Sequence, residues 1–246
     1  MKLWITTKMS RIYRLELSRC NCYLITKEGS HILVDTGVIQ DRKKLVKKLD
    51  KLGIHKLDAI FITHVHTDHV ENAEYFSKKY KAKVFVHALE QEQLTSGKCI
   101  MPGGKNIWTK MISIMLHKTK LYSSFMPVSN CVAYPMEQRE NMAYTTVTKI
   151  GKAKNLDVIV LETKGHTEGS VSIVVDHEVA IVGDAMVHSL VGSIYPPFGE
   201  EDSEILASWR KLLNMKCKLY CPAHGREVKR RLLWESLSVY KQKAEK

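Results

Sequence analysis

From Thr63 to His69 the chain reads Thr-His-Val-His-Thr-Asp-His, so His64, His66, Asp68 and His69 fall within six consecutive positions. Imidazoles are costly to crowd unless something compensates for their donors and lone pairs. A divalent metal ion does so, because neutral His and ionised Asp are among its favoured ligands. His64 and His66 are two apart, so on extended backbone both side chains leave the same side and can chelate one ion. Asp68 and His69 follow where the chain turns into a helix, and can point at a second ion nearby.

Three isolated residues extend this proposal. His166 lies in Gly165-His166-Thr167, Asp184 in Gly183-Asp184-Ala185 and His224 in Ala223-His224-Gly225. Each sits at the carboxyl end of an expected strand, where ligands gather in layered α/β folds. His166 is available to the first ion, Asp184 can bridge both, and His224 can complete the second. Alone, either histidine would read as an ordinary core or surface residue; the upstream cluster and a neighbouring glycine change that reading. Asp35 is read as ordering nearby backbone rather than as a ligand.

These residues need a scaffold that brings strand ends together. Asn21–Thr26 and His31–Asp35 read as a hairpin across Lys27-Glu28-Gly29-Ser30. Lys43, Lys44, Lys47, Lys48 and Lys51 alternate with Leu45, Val46, Leu49 and Leu52, an amphipathic helix closed by Gly53. A buried strand, Leu57–Thr63, then delivers the histidine cluster, followed by a helix from about Glu71 to Lys79 and a strand from Lys83 to His87. The second half repeats the logic with strands Asp157–Glu162, Ser170–Val175 and Glu178–Val182, a helix Ser203–Leu213, a strand Lys218–Cys221 and a terminal helix from about Glu227. Strands followed by helices, twice, predict two sheets packed face to face with helices outside. The chain reads as one domain, 1–246, interrupted at about 90–144 by a helical insertion. There Trp108, Met111, Ile112, Met115 and Leu116 make an apolar helix, read either as a core helix or as a lid over an apolar pocket, with Tyr195-Pro196-Pro197-Phe198 on the opposite rim.

At 246 residues the chain can bury a sizeable core. No apolar run approaches the roughly 20 residues that span a bilayer, and Lys2, Lys8, Arg11 and Arg14 interrupt any leader-like segment at the amino end. A cytoplasmic location is therefore expected, with no membrane partner. The six cysteines are expected to be free thiols. The net charge of +12 is carried largely by solvated helix faces, without the interleaved aromatics of a base-stacking platform, so nucleic acid is not the expected partner.

In order and combination, His64-x-His66-x-Asp68-His69, His166, Asp184 and His224 resemble the metallo-β-lactamase superfamily, within it the glyoxalase II, lactonase and ribonuclease Z type. Leu33-Val34-Asp35-Thr36-Gly37 is similar to the structural signature that precedes the motif there. The resemblance spans nearly the whole chain apart from the insertion. It implies an α/β fold, the four-layer αββα sandwich, with a dinuclear site at one edge. Two divalent ions about 3.5–4 Å apart hold a hydroxide near neutral pH, so the expected function is hydrolysis of an ester, thioester, lactone or similar bond. Zinc is the expected metal, with iron or manganese as alternatives, and Asp68 is the expected proton carrier as well as a ligand.

Branch-specific features narrow the resemblance. His66 stands where the flavodiiron branch usually carries glutamate, which favours hydrolysis over dioxygen chemistry; a mononuclear iron persulfide dioxygenase is the remaining redox alternative. Lactonases of the family usually carry tyrosine three residues after the bridging aspartate, where this chain has Val187; His188 or Tyr195 is the candidate substitute donor. Glu71-Asn72 replaces the usual Gly-Gly after the motif. Too little chain follows His224 for a glutathione-binding helical domain. The basic arm of a ribonuclease Z is not recognisable, which leaves a phosphodiesterase as the lesser alternative. The expected substrate is a small molecule, anionic with an apolar part, contacted by His188, Tyr195 and Trp108.

Overall fold

The computed structural model describes residues 4–99, 103–105, 108–111, 114–115, 124–139, 142–153, 155–188 and 192–244. Ile112 and Leu116 of the apolar helix lie outside them.

Strands β1 (Trp4–Thr6), β2 (Arg11–Glu16), β3 (Asn21–Lys27), β4 (Ser30–Val34), β5 (Ala59–Phe61), β6 (Lys83–Val86) and β7 (Cys131–Ala133) form one sheet in that spatial order. The first four run antiparallel, and β4 to β7 are parallel. The second sheet holds β8 (Glu137–Arg139), β9 (Met142–Val147), β10 (Val158–Glu162), β11 (Val171–Val175), β12 (Val179–Gly183), β13 (Leu219–Pro222) and β14 (Val228–Lys229). Its pairs are antiparallel except β12 with β13.

The side-chain period of two sorts each strand between two cores. On β3, Tyr23 and Ile25 enter the apolar layer between the sheets, where they meet Phe61, Val160 and Ile173. Cys22 and Leu24 face the other way, towards Leu45 and Leu49 of the helix Arg42–Lys51 and Phe76 of the helix Ala73–Tyr80. Behind the second sheet, Leu161, Val174 and Val182 pack on Ile205, Trp209 and Leu212 of the helix Asp202–Asn214 and on Leu233 of the helix Arg230–Ala244. The layers are helix, sheet, sheet, helix. Burial on both faces explains why β10 to β12 read as continuous apolar runs. Each large side chain so buried contributes about 1.5–3 kcal/mol.

The structure departs from the sequence reading at two places. β1 and β2 precede the expected first hairpin; Ile12 and Leu15 are three apart and bury on opposite faces of the sheet, so β2 shows no alternation. The stretch 90–144 is only partly an addition between halves. Its far end supplies β7 to the first sheet and β8 and β9 to the second, and the three-residue strands β7 and β8 are too short to carry a legible pattern.

Candidate metal centre

β5 ends at Phe61, the chain bends at Thr63 and His64, and His66 (φ −117°, ψ 153°) is extended before the turn into the short helix Thr67–Val70. His64 and His66 come out on one side, with His64 Nε2 facing His66 Nδ1 at 2.9 Å. His166 arrives from the loop after β10, with Nε2 3.1 Å from the same His66 nitrogen. The three rings meet edge to face, with centroids 4.5–4.8 Å apart. Asp68, His69 and His224 form a second group, with Asp68 Oδ2 3.3 Å from His224 Nε2 and 3.9 Å from His69 Nε2. Asp184 stands between the groups. Its Oδ2 is 3.4 Å from His166 Nε2 and 3.3 Å from His224 Nε2, and its Oδ1 is 3.7 Å from His69 Nε2. All seven residues singled out in the sequence converge.

Two glycines make the convergence possible. Gly165 takes φ +120°, and a Cβ there would lie 2.4 Å from the Ile205 nitrogen, so the His166 loop crosses directly over the following helix. Gly183 takes φ +51° against the Thr63 side chain, which sets Asp184 beside the histidine strand.

A surrounding set of groups orients the imidazoles. Asp35 Oδ2 lies 2.9 Å from His69 Nδ1, while the Asp35 carboxylate also accepts from Thr63 N and Thr63 Oγ1. The backbone-ordering role read for Asp35 is present together with this contact. His166 Nδ1 donates to Phe198 O at 3.0 Å. Each contact engages the ring nitrogen remote from the cluster and leaves the other free for it, as metal-binding imidazoles require. Glu90, fully enclosed, accepts from Val65 N and from Thr167 Oγ1, so it ties the His64–His66 strand to the His166 loop. Sequence reading passed over Glu90, because a lone glutamate after a strand carries no motif; only the packing reveals two donors aimed at it.

Charge divides along the same line. Burial, reinforced by the neighbouring imidazoles, holds His64 well below the ordinary histidine range and His66 at about 3. Burial likewise lowers His166, against the pull of Asp184. At the other end burial opposes charge but loses: Asp35, Asp68 and Asp184 raise His69 to about 9, and Asp184 and Asp68 hold His224 well above its usual value. Asp68 falls to about 2 and Asp184 well below the carboxylate range, because adjacent imidazoles outweigh burial.

Nitrogen and carboxylate donors in this proportion suit a divalent cation. Three groupings, His64–His66–His166, His64–His69–Asp184 and Asp68–His69–His224, each gather their ligand atoms within 4.8 Å. His69 Nε2 and Asp184 Oδ1 are buried without a hydrogen-bond partner, a costly state that a cation between them relieves. The residues fit metal binding.

A family model described as the metallo-beta-lactamase superfamily matches residues 15–224. The chain belongs to this superfamily. The match takes in β3 to β13 and every residue of the cluster. A relative in Methanocaldococcus jannaschii, named as a probable metallo-hydrolase, is 26% identical over 181 residues, which is 73% of each chain. Among solved structures, the B3 metallo-beta-lactamase BLEG-1 superposes with a TM-score of 0.66 at 19% identity, covering 91% of this chain and 96% of that one. A superfamily protein from Sulfolobus tokodaii gives 0.60 at 17% identity, over 93% and 85%. A further structure, of a protein in a di-iron-bound form, gives 0.63 at 18% identity, over 91% and 98%. Membership of a metallo-hydrolase superfamily makes the protein an enzyme of that class, on the αββα fold.

The three residues expected to contact substrate are placed differently from one another. His188 stands beside the cluster: its N–H donates to His224 O at 3.0 Å, and Gly225 packs on its carbonyl. Tyr195 does not turn to the cluster. Its hydroxyl donates to Asp202 at 2.6 Å, and its ring rests on Trp209 and Tyr240. Trp108 is exposed. The Tyr195–Phe198 stretch is not an opposite rim, because Gly104 pairs directly with Phe198.

Proposed function

We propose that the protein is a hydrolase that holds two divalent cations, zinc in the cell, and cleaves an ester, thioester, lactone or related bond of a small molecule. The observation that supports this most directly is the shared position of Asp184, at 3.3–3.4 Å from an imidazole of each group. On this reading His64, His66 and His166 hold one cation, Asp68, His69 and His224 hold the other, and Asp184 serves both. Such a pair supplies a hydroxide nucleophile near neutral pH and polarises the oxygen of the scissile group.

The chain's own residues supply orientation, access and proton transfer. Asp35 and the Phe198 carbonyl fix the rings of His69 and His166. The side chains of Asp68 and His224 are 23% and 28% exposed, against 0% for His69 and 4% for His166, so substrate approaches over Asp68 and His224. Asp68 is thereby the carboxylate placed to take a proton from the nucleophile and return it to the leaving group. His188, beside the His224 turn, is the donor for a polar end of the substrate. The basic surface favours an anionic substrate over a neutral one. A cytosolic location belongs to the same reading, supported by six cysteines present as free thiols.

Metal analysis of the purified protein, combined with a turnover screen of thioesters, lactones, phosphodiesters and persulfides, tests this reading. Two ions per chain and cleavage at a carbonyl centre are expected. One iron per chain with persulfide oxidation, or cleavage confined to phosphodiesters, overturns it.

A further inference from the structure

His224 reaches the cluster from a turn whose backbone is held from outside. Four consecutive carbonyls, Pro222 to Gly225, each accept a hydrogen bond. Asn21 N donates to Ala223 O at 2.7 Å, and His188 N donates to His224 O at 3.0 Å. Asn21 Nδ2 donates to Gly225 O at 3.0 Å and, at 3.4 Å, to Pro222 O, which also receives the Tyr23 hydroxyl at 2.7 Å. The peptide planes on either side of His224 are thereby fixed, and with them the direction in which its side chain leaves the chain.

His69 and His166 are oriented through their remote ring nitrogens, by Asp35 and by the Phe198 carbonyl. The His224 ring is engaged at Nε2, by Asp68 and Asp184, and no described residue holds its Nδ1. Its direction therefore comes through its backbone. Gly225, the next residue, is exposed and has no side chain to anchor the turn. The Asn21 amide does so instead: buried at the start of β3, it grips the turn on both sides of His224. Both of its partners are carbonyls, so its nitrogen and not its oxygen must face them.

The residue before Asn21 holds the ligand that faces His224. Cys20 Sγ donates to Asp68 O at 2.8 Å, and Asp68 Oδ2 lies 3.3 Å from His224 Nε2. Two adjacent residues of the first sheet's side thus set both edges of this gap. From the second sheet, Ala223 N donates to Gly183 O at 2.9 Å, next to Asp184. The His224 turn is therefore suspended between the sheets, and Asn21 is its side-chain attachment to the first.

We propose that Asn21 is the positioning residue of His224: its side-chain amide holds the Pro222–Gly225 turn so that the imidazole stands opposite both Asp68 and Asp184. This placement is a property of the chain alone. Its consequence for affinity rests on the hydrolase reading, in which Asp68, His69 and His224 hold the second cation. A ligand that drifts from its partners weakens that cation and leaves the one at His64, His66 and His166 in place.

Asn21→Asp keeps the size of the side chain but sets a carboxylate oxygen against two carbonyls, and Asn21→Ala removes the amide outright. Crystal structures of the metal-free variants are expected to show His224 Nε2 displaced from its 3.3 Å contacts with Asp68 and Asp184. Chelator competition should show the second cation bound roughly 10–100-fold more weakly and the first unchanged. Ser77→Ala breaks a buried hydroxyl-to-carbonyl contact of 2.7 Å on the helix Ala73–Tyr80; it should lower stability and leave both affinities as they are. His224 unmoved in both metal-free variants overturns the proposal. So does a weakening shared equally by both cations, which a general loss of stability would produce. A parent protein that binds fewer than two cations refutes the hydrolase reading instead, and the position of His224 in the metal-free variants then decides the proposal by itself.

Discussion

Asp35 Oδ2 lies 2.9 Å from His69 Nδ1, and both side chains are almost wholly enclosed. Asp35 follows β4 with a left-handed backbone (φ 58°) and also receives Thr63 N and Thr63 Oγ1 at 2.9 and 2.8 Å. One carboxylate thus fixes both the start of the histidine strand and a ring at its end. Asp35→Asn removes the charge and leaves too few acceptors for three donors. It should lower metal affinity by roughly 10–100-fold, mainly at the Asp68–His69–His224 group. Competition against a chromophoric chelator measures each cation separately, and equal affinities in variant and parent would refute the role.

Asp68 combines ligand and proton carrier. Asp68→Asn preserves its size and one oxygen, so the tri-histidine group should retain its cation while turnover falls by about 10²–10⁴-fold. Metal content and turnover measured on the same sample decide between the two roles. Near-normal turnover with full metal content would remove Asp68 from the chemistry.

Glu90 links two ligand-bearing loops from behind, and burial, partly offset by its hydrogen bonds, raises its carboxyl to about 7. Glu90→Ala leaves the Val65 N–H facing a void, at a cost of about 1–3 kcal/mol for a group left unpaired, while the Thr167 hydroxyl keeps the Ser170 hydroxyl at 2.7 Å. Urea unfolding should show this loss. In a double-mutant cycle with Thr167→Val the two effects should fall short of additive; strict additivity would mean that the contact contributes nothing.

Stability of the metal-free chain should depend on pH with two opposed limbs. His64, His66 and His166 have folded values below their unfolded 6.5. Their contribution is present above 6.5 and is lost as pH falls towards about 3, the value for His66. Glu90, whose folded value is raised, offsets part of that acid limb. His69 and His224 are raised, so their contribution is present below 6.5 and lost as pH rises through about 9, the value for His69. Saturating zinc replaces the protons on His69 and His224 and should flatten the alkaline limb. Melting curves from pH 4 to 10, with and without zinc, check both limbs; an alkaline limb unchanged by metal would place the cation elsewhere.

The cluster from His64 to His69 was legible because its ligands are local: three imidazoles and a carboxylate within six positions stay close together even though the chain bends at Thr63 and His64. Asp184 and His224 were legible because each ends an apolar run and sits beside a glycine. The αββα layering followed from two successions of strand and helix. β1, β7 and β8 were not legible, since strands of three residues take their place from neighbours rather than from their own pattern, and neither were β2, whose buried Ile12 and Leu15 are three apart, and β9.

What the chain carries by itself, then, is its donor set, their order and the strands that end beside them. Three-dimensional packing alone decided that Asp184 stands between both groups, that Asp35 and Phe198 turn two rings, that Glu90 joins two loops and that Tyr195 points away to Asp202. Apart from Tyr195 and Asp202, which are seven positions apart, these contacts join residues distant in the chain, 100 positions for His66 and His166, and no local spacing encodes a distance across two sheets. The same holds for Trp108: an apolar helix has the same sequence whether it faces a core or water, and only its neighbours determine which.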